Sequence, residues 1–513
     1  MATAETAPPK TIFQRALDLI ERLGNRVPHP AVLFFALSAL VVILSHALHL
    51  TGVSVTYERL DPETHTLQTL TTHVSSLLSA DGVRFMFTSV VPNFINFGPV
   101  GIILVAMIGV GLAERSGLIT ALLRMVVQVA PRRLMTAIIV TAGVLSSIAS
   151  DAGYLVLIPL GAAAFFSVGR HPLAGLAAAF AGVAAAFGVN FFVKPIDGIL
   201  AEMTTDAARL VDPTRTVELT SNFYFGIASS VLLIGVCTFV TDWLVEPRLG
   251  KFESAEPAEG GNELTADEKR GLWWALVALV VVSVGLALLS LPTGAPLRNP
   301  ETGQLIGDSP FMNSLVLLIM LVFLATGAAY GYGASTLASI NAALDAITKT
   351  FADLGGLLFL FFVISQFVAY FNYSNIGTIL AIQLATWLKE ANLGSVPLLL
   401  GFIVIGFFLC FPLPNILPKW AIMAPIFVPL FMKLGIDPEV VLAAYRVSDS
   451  PPNVINPLLP HFALVVGFAQ RYDKAAGVGT IVALMLPYTA CTMLAWTAIF
   501  LAWHLLGLPL GPN

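Results

Sequence analysis

The chain has 513 residues, of which 57% are hydrophobic and 11% charged, and its formal net charge is -5. Its mean hydropathy is +0.85. A soluble domain carries roughly 25% charged residues, so a string of soluble domains is excluded and a polytopic membrane protein is indicated. The small net charge gives no reason to expect nucleic acid as a partner. Cys237, Cys410 and Cys491 lie in apolar segments without CxxC spacing and read as packing residues.

Residues 11–24 alternate apolar and charged positions at helical spacing, as an interfacial helix would. Lys10, Arg15, Arg22 and Arg26 precede the first apolar run, residues 31–50, so the N-terminus is expected in the cytoplasm. Residues 52–81 are polar and read as an extracytoplasmic loop. A long apolar segment follows at 83–112.

Residues 134–168 are apolar at both ends but polar at the centre, from Ser146 to Asp151. Basic residues flank both ends: Arg132 and Arg133 before, Arg170 and His171 after. By the charge rule both ends lie on one side, which predicts a re-entrant hairpin; a single tilted helix with a serine seam is the competing reading. A segment at 172–210 is then broken by Asn190, Lys194, Pro195 and Asp197. Residues 246–270 form a mixed-charge cytoplasmic linker, dividing an N-terminal half (1–245) from a C-terminal half (271–513).

The second half replays the plan. A second hairpin is expected at 396–432, with a polar centre that includes Asn415, Pro418, Lys419 and Trp420. A second broken helix is expected at 438–469, and a last span at 478–506. In that broken helix Arg446 and Asp449 stand three residues apart on one helical face and could pair. Pro451 and Pro452 then remove two backbone donors, so Asn453 to Asn456 are expected to be unwound. A hairpin followed by a broken helix, occurring twice, is the pattern of inverted-repeat secondary transporters.

Four polar clusters are expected to converge, and ionisable groups at membrane depth are functional candidates. Asp151, Asn190, Asp197, Asp449, Asn453 and Asn456 are candidates for handling a coupling ion. Arg446 could hold a carboxylate or sulfonyl group bidentately, or merely neutralise Asp449. Trp420 could stack an aromatic ring or fill the core. The Lys194 ammonium could occupy a place where another transporter binds sodium, or snorkel to a cavity edge. Asn415 and Lys194 complete the substrate-facing set. GxxxxGK[ST], HExxH and GxSxG motifs do not occur, so neither a primary pump nor an enzyme is expected. A passive channel or non-transporting scaffold is the alternative.

The stretches LGNRVPHP (23–30), SSIASDAGYLVLIPL (146–160), KWAIMAPIFVPL (419–430), YRVSDS (445–450) and LLGLPLGP (505–512) together resemble the p-aminobenzoyl-glutamate transporter (AbgT) family over nearly the whole chain. The resemblance implies an all-α inner-membrane protein of about nine transmembrane helices plus two re-entrant hairpins. It also implies a homodimer in lipid and a cavity open to the cytoplasm. Uptake of p-aminobenzoyl-glutamate or export of sulfonamides, driven by Na+ or H+ and without any other cofactor, would follow. Asp197, Trp420, Arg446, Asp449 and Pro457 are the functional candidates it carries over. Three departures fall at the expected site: Lys194-Pro195 where the family has Gly-Thr, Leu417-Pro418 for Ser-Ala, and Pro451-Pro452 with Asn456-Pro457 for hydroxyl-bearing residues.

Overall fold

The computed structural model describes residues 30–60, 67–128, 131–148, 153–250, 252, 264–306, 309–390 and 394–512. The interfacial helix expected at 11–24, most of the linker, and Asp151 lie outside the described residues. The described residues are all-α apart from one two-stranded hairpin. Among the described residues, eight helices are long and apolar enough to cross a membrane. They are α1 (Pro30–Leu50), α2 (Gly98–Arg115), α7 (Phe223–Leu249), α8 (Ala266–Ser290), α9 (Leu315–Gly333), α10 (Gly355–Tyr373), α12 (Ile416–Lys433) and α14 (Val478–Leu505). The region read as an irregular loop instead forms a β-hairpin, β1 (Ser54–Leu60) with β2 (Leu67–His73), in antiparallel register from Ser54↔His73 to Leu60↔Leu67. Its Thr-rich, alternating sequence suits a two-sided polar ribbon.

Between the spans lie shorter apolar helices: α3 (Met135–Ser146), α4 (Gly153–Ser167), α5 (Pro172–Ala185) and α11 (Ser395–Leu409). At 1.5 Å per residue, α3 reaches only about 18 Å and α11 about 22 Å, short of a hydrocarbon core of about 30 Å. The pairs α3–α4 and α11–α12 are therefore hairpins. Each is followed by a broken helix. The first comprises α5 and α6 (Pro195–Ala208). The second comprises α13 (Pro438–Asp449), which passes through a tight 3₁₀ turn at Pro451–Ile455 and resumes as a short helix at Phe462–Ala469.

The orientation of the hairpins follows from α14, whose 28 residues span about 42 Å. At the base of the first hairpin, Phe166 packs against Tyr472, just before α14 begins. There Arg170 also binds Asp242 (2.6 Å) and Glu246 near the end of α7. At the base of the second hairpin, Ser395 hydrogen-bonds His504 at the far end of α14 (3.0 Å). The hairpins thus enter from opposite faces, and the repeats are inverted.

Glycines bring each hairpin against its broken helix. A Cβ at Gly143 would lie 2.6 Å from the backbone carbon of Gly182, and one at Gly406 would lie 2.2 Å from Ser448 Oγ. Such close crossings are what small residues allow in lipid, where packing rather than the hydrophobic effect drives association.

Candidate functional site

The two breaks meet. The Gly188 N–H donates to Ser450 Oγ (2.8 Å), and Arg446 Nη1 donates to Gly188 O (3.1 Å) and to Asp197 Oδ1 (2.6 Å). Arg446 therefore pairs across the repeats with Asp197. This corrects the expectation that it pairs with Asp449 three residues on. Asp197 spends its second oxygen at home, where Oδ2 accepts the Lys194 backbone N–H at 2.8 Å and caps α6.

Asp449 has another partner, one the sequence reading passed over. Lys419 Nζ sits 2.6 Å from Asp449 Oδ1, with both side chains almost fully buried. Lys419 also donates to Cys410 Sγ (2.7 Å), and that thiol donates to the Asp449 carbonyl (3.0 Å). Cys410 is thus part of a polar cluster and not only a packing residue. The signal was present in the sequence: a lysine inside a long apolar segment must find an anion or reach water. Asn415 caps α12 by accepting the Leu417 N–H (3.1 Å), so Lys419 and Trp420 lie in the first turns of a helix, not in the hairpin loop.

Lys194 is 1% exposed. Its ammonium donates to Phe187 O (2.6 Å), Ser147 Oγ (3.3 Å) and Val189 O (3.5 Å). It joins the tip of the first hairpin to the carbonyl end of α5.

A cavity of about 540 Å³ opens where the hairpin tips approach the breaks. Of the expected residues, Lys194, Asn415, Asp449 and Asn453 line it. Its apolar wall includes Pro412, Pro414 and Pro418, and it also presents Tyr154 and His461, whose rings stack at 4.2 Å and 11°. Asp449 Oδ2 is buried and has no hydrogen-bond partner among the described residues.

Arg446, Asn190 and Asp197 face away from this cavity and line a separate void of about 30 Å³. Asn190 ties the first hairpin to the first break, donating to Val144 O (2.8 Å) and Ser147 Oγ (3.1 Å). Asn456 does the same in the second half, donating to Cys410 O (2.7 Å). The turn expected to be unwound with free amides is a 3₁₀ turn, and its Asn453 amide donates to Ala184 O of α5 (3.5 Å) and accepts from the Cys410 thiol (3.6 Å). Pro457 lines neither space. Trp420 is fully buried, stacks on Tyr445 (4.4 Å, 26°), and donates to Thr204 Oγ1 (3.1 Å). It offers no face to the cavity in this conformation, which corrects its role as a ring-stacking surface.

Sequence and structure comparisons place these features in a known setting. The model of the AbgT transporter family matches residues 15–513. The chain belongs to the AbgT family. It is 35% identical over 494 residues to the p-aminobenzoyl-glutamate transport protein of Escherichia coli (strain K12), covering 96% of this chain and 95% of that one. The crystal structure of the Alcanivorax borkumensis YdaH transporter superposes with a TM-score of 0.88 at 42% identity, covering 94% of this chain and all of that one. Neisseria gonorrhoeae MtrF, described with a class of antimetabolite efflux pumps, superposes with a TM-score of 0.90 at 42% identity, covering 97% and 100%. The chain is thus a membrane-embedded AbgT transporter.

Proposed function

We propose that this transporter moves p-aminobenzoate-related aromatic anions, p-aminobenzoyl-glutamate or sulfonamide antimetabolites, driven by a proton or sodium gradient. The observation that carries the reading is the cavity itself. Its apolar, proline-rich wall and the stacked Tyr154–His461 rings suit a flat ring. Lys194 makes one end electropositive. At the other, the unpartnered Asp449 Oδ2 could accept from an arylamine or take up a proton. The relatives are named for p-aminobenzoyl-glutamate transport and antimetabolite efflux, which supports this substrate class.

The Asp449–Lys419 pair is the coupling element in this reading, and the Asp197–Arg446 pair holds the repeats together. The protein works as a homodimer in the bacterial inner membrane. Its N-terminus and the base of the first hairpin, marked by Arg132, Arg133 and Arg170, face the cytoplasm.

Proteoliposomes loaded against a pH or sodium gradient give the test. Uphill accumulation of radiolabelled p-aminobenzoyl-glutamate or a sulfonamide is expected, and its sign under each gradient gives the direction of transport. Flux that ignores both gradients would indicate a passive channel, and absence of flux for both compounds would refute the substrate class.

A further inference from the structure

A buried ammonium in a membrane protein must be matched by an anion or by several oxygens, because its desolvation is otherwise prohibitive. The two lysines at the breaks solve this differently. Lys419 meets a carboxylate at 2.6 Å. Among the described residues Lys194 meets none: Asp197, three positions on, is committed to Arg446 and to the Lys194 backbone N–H. The acceptors of its ammonium are the Phe187 and Val189 carbonyls and the Ser147 hydroxyl. An ammonium has three N–H donors, and here there is one oxygen for each.

The two carbonyls belong to the unwound chain just past the C-terminal end of α5, where the helix dipole favours positive charge. The hydroxyl comes from the hairpin tip that closes over it. Unwound carbonyls at a half-helix end are the donor set with which discontinuous-helix transporters coordinate a cation. In this chain the positive charge arrives on a side chain whose stem starts seven residues beyond Phe187.

We propose that Lys194 is a tethered cation: its ammonium fills a three-oxygen cage, formed by Phe187, Val189 and Ser147, that would otherwise accept a sodium-sized ion. The first break then needs no diffusible monovalent cation. This deepens the transport reading, because it leaves the proton as the coupling ion at the cavity.

Replacing Lys194 by Gly removes the ammonium together with its buried stem, leaving space beside the three oxygens. Lys194 is the N-cap of α6, a position glycine tolerates, and its backbone N–H bond to Asp197 remains available. The vacated cage, still holding two carbonyls and a hydroxyl, should accept sodium from solution.

The experiment compares wild type and Lys194→Gly in detergent, titrating NaCl against choline chloride at constant ionic strength, with Tm and radiolabelled sodium binding as readouts. Wild type should show no sodium-specific change in either. Lys194→Gly should have a lower Tm in choline and recover several degrees, saturably, with sodium, together with stoichiometric sodium binding. Ser147→Ala in the Lys194→Gly background should weaken that binding several-fold. Saturable sodium binding that stabilises wild type would overturn the proposal. So would a Lys194→Gly protein that sodium fails to rescue, whether it folds or not, since a lysine acting only as a staple leaves no cation cage behind. No transport is measured, so failure here is separable from failure of the substrate assignment.

Discussion

Each helix break sets an aspartate near a lysine, Lys194 from the first break itself and Lys419 from the second hairpin, and the two pairs are in opposite states. At the first, Asp197 has both oxygens engaged, by Arg446 and by the Lys194 backbone N–H, while the Lys194 ammonium is held by neutral oxygens. At the second, Asp449 lines the cavity, holds Lys419 with one oxygen and leaves the other buried without a hydrogen-bond partner among the described residues. A saturated carboxylate fixes geometry, whereas one with a spare acceptor beside a cavity can exchange a proton or meet a ligand. On the proposed function the difference divides the labour: the first break holds the repeats together, and the second carries the coupling.

The largest expected effect breaks the second pair. Lys419→Met strands Asp449 in the interior and should cost about 3–5 kcal/mol, while the double variant Lys419→Met/Asp449→Leu should recover much of that stability without restoring transport. Denaturant titration in detergent and liposome flux measure the two halves of this expectation. Arg446→Ala should cost less, about 2–3 kcal/mol, because Asp197 keeps its Lys194 N–H bond. A loss as large as that of Lys419→Met would show that the first pair is no better compensated than the second.

Gly406→Val forces a side chain onto that of Ser448 and should cost about 1–3 kcal/mol by overpacking, while Gly143→Val meets the backbone of Gly182 and should cost at least as much. A smaller loss for Gly143→Val than for Gly406→Val, read by Tm, would mean that the first hairpin yields more easily than the second. The smallest effect is expected from Trp420→Phe, which preserves the stack on Tyr445 and loses one hydrogen bond to Thr204, about 1 kcal/mol. The substrate KM should be unchanged; a several-fold rise would return Trp420 to the binding surface.

Much of this architecture was legible in the chain. The hairpins were visible because polar centres interrupt apolar segments too short to cross twice. The breaks were visible because Pro, Asn and charged residues cannot sit in lipid. The pairing of charges was not. Arg446 and Asp449 share a helical face, and spacing favours their contact, yet Arg446 pairs across the repeats with Asp197 and Asp449 pairs with Lys419 of its own half. Lys419 was read only as part of the second hairpin's polar centre: a lysine in an apolar segment signals the need for an anion, but not that the anion is Asp449, which is remote in sequence. The asparagines were read as ligands because they are polar, but Asn190 and Asn456 bond carbonyls near the hairpin tips, Val144 O and Cys410 O. The β-hairpin at 54–73 was missed because its Thr-rich polar alternation resembles a loop in an otherwise apolar chain.

The division of labour is tested most directly by gradient-driven flux of p-aminobenzoyl-glutamate in Asp449→Asn and Asp197→Asn, with Tm measured on the same preparations. The account predicts that Asp449→Asn lowers Tm, because Lys419 is left without its anion, and that the folded protein loses gradient-coupled flux, while Asp197→Asn lowers Tm but keeps its flux coupled. Coupled flux in Asp449→Asn, together with uncoupling in an equally stable Asp197→Asn, would contradict it.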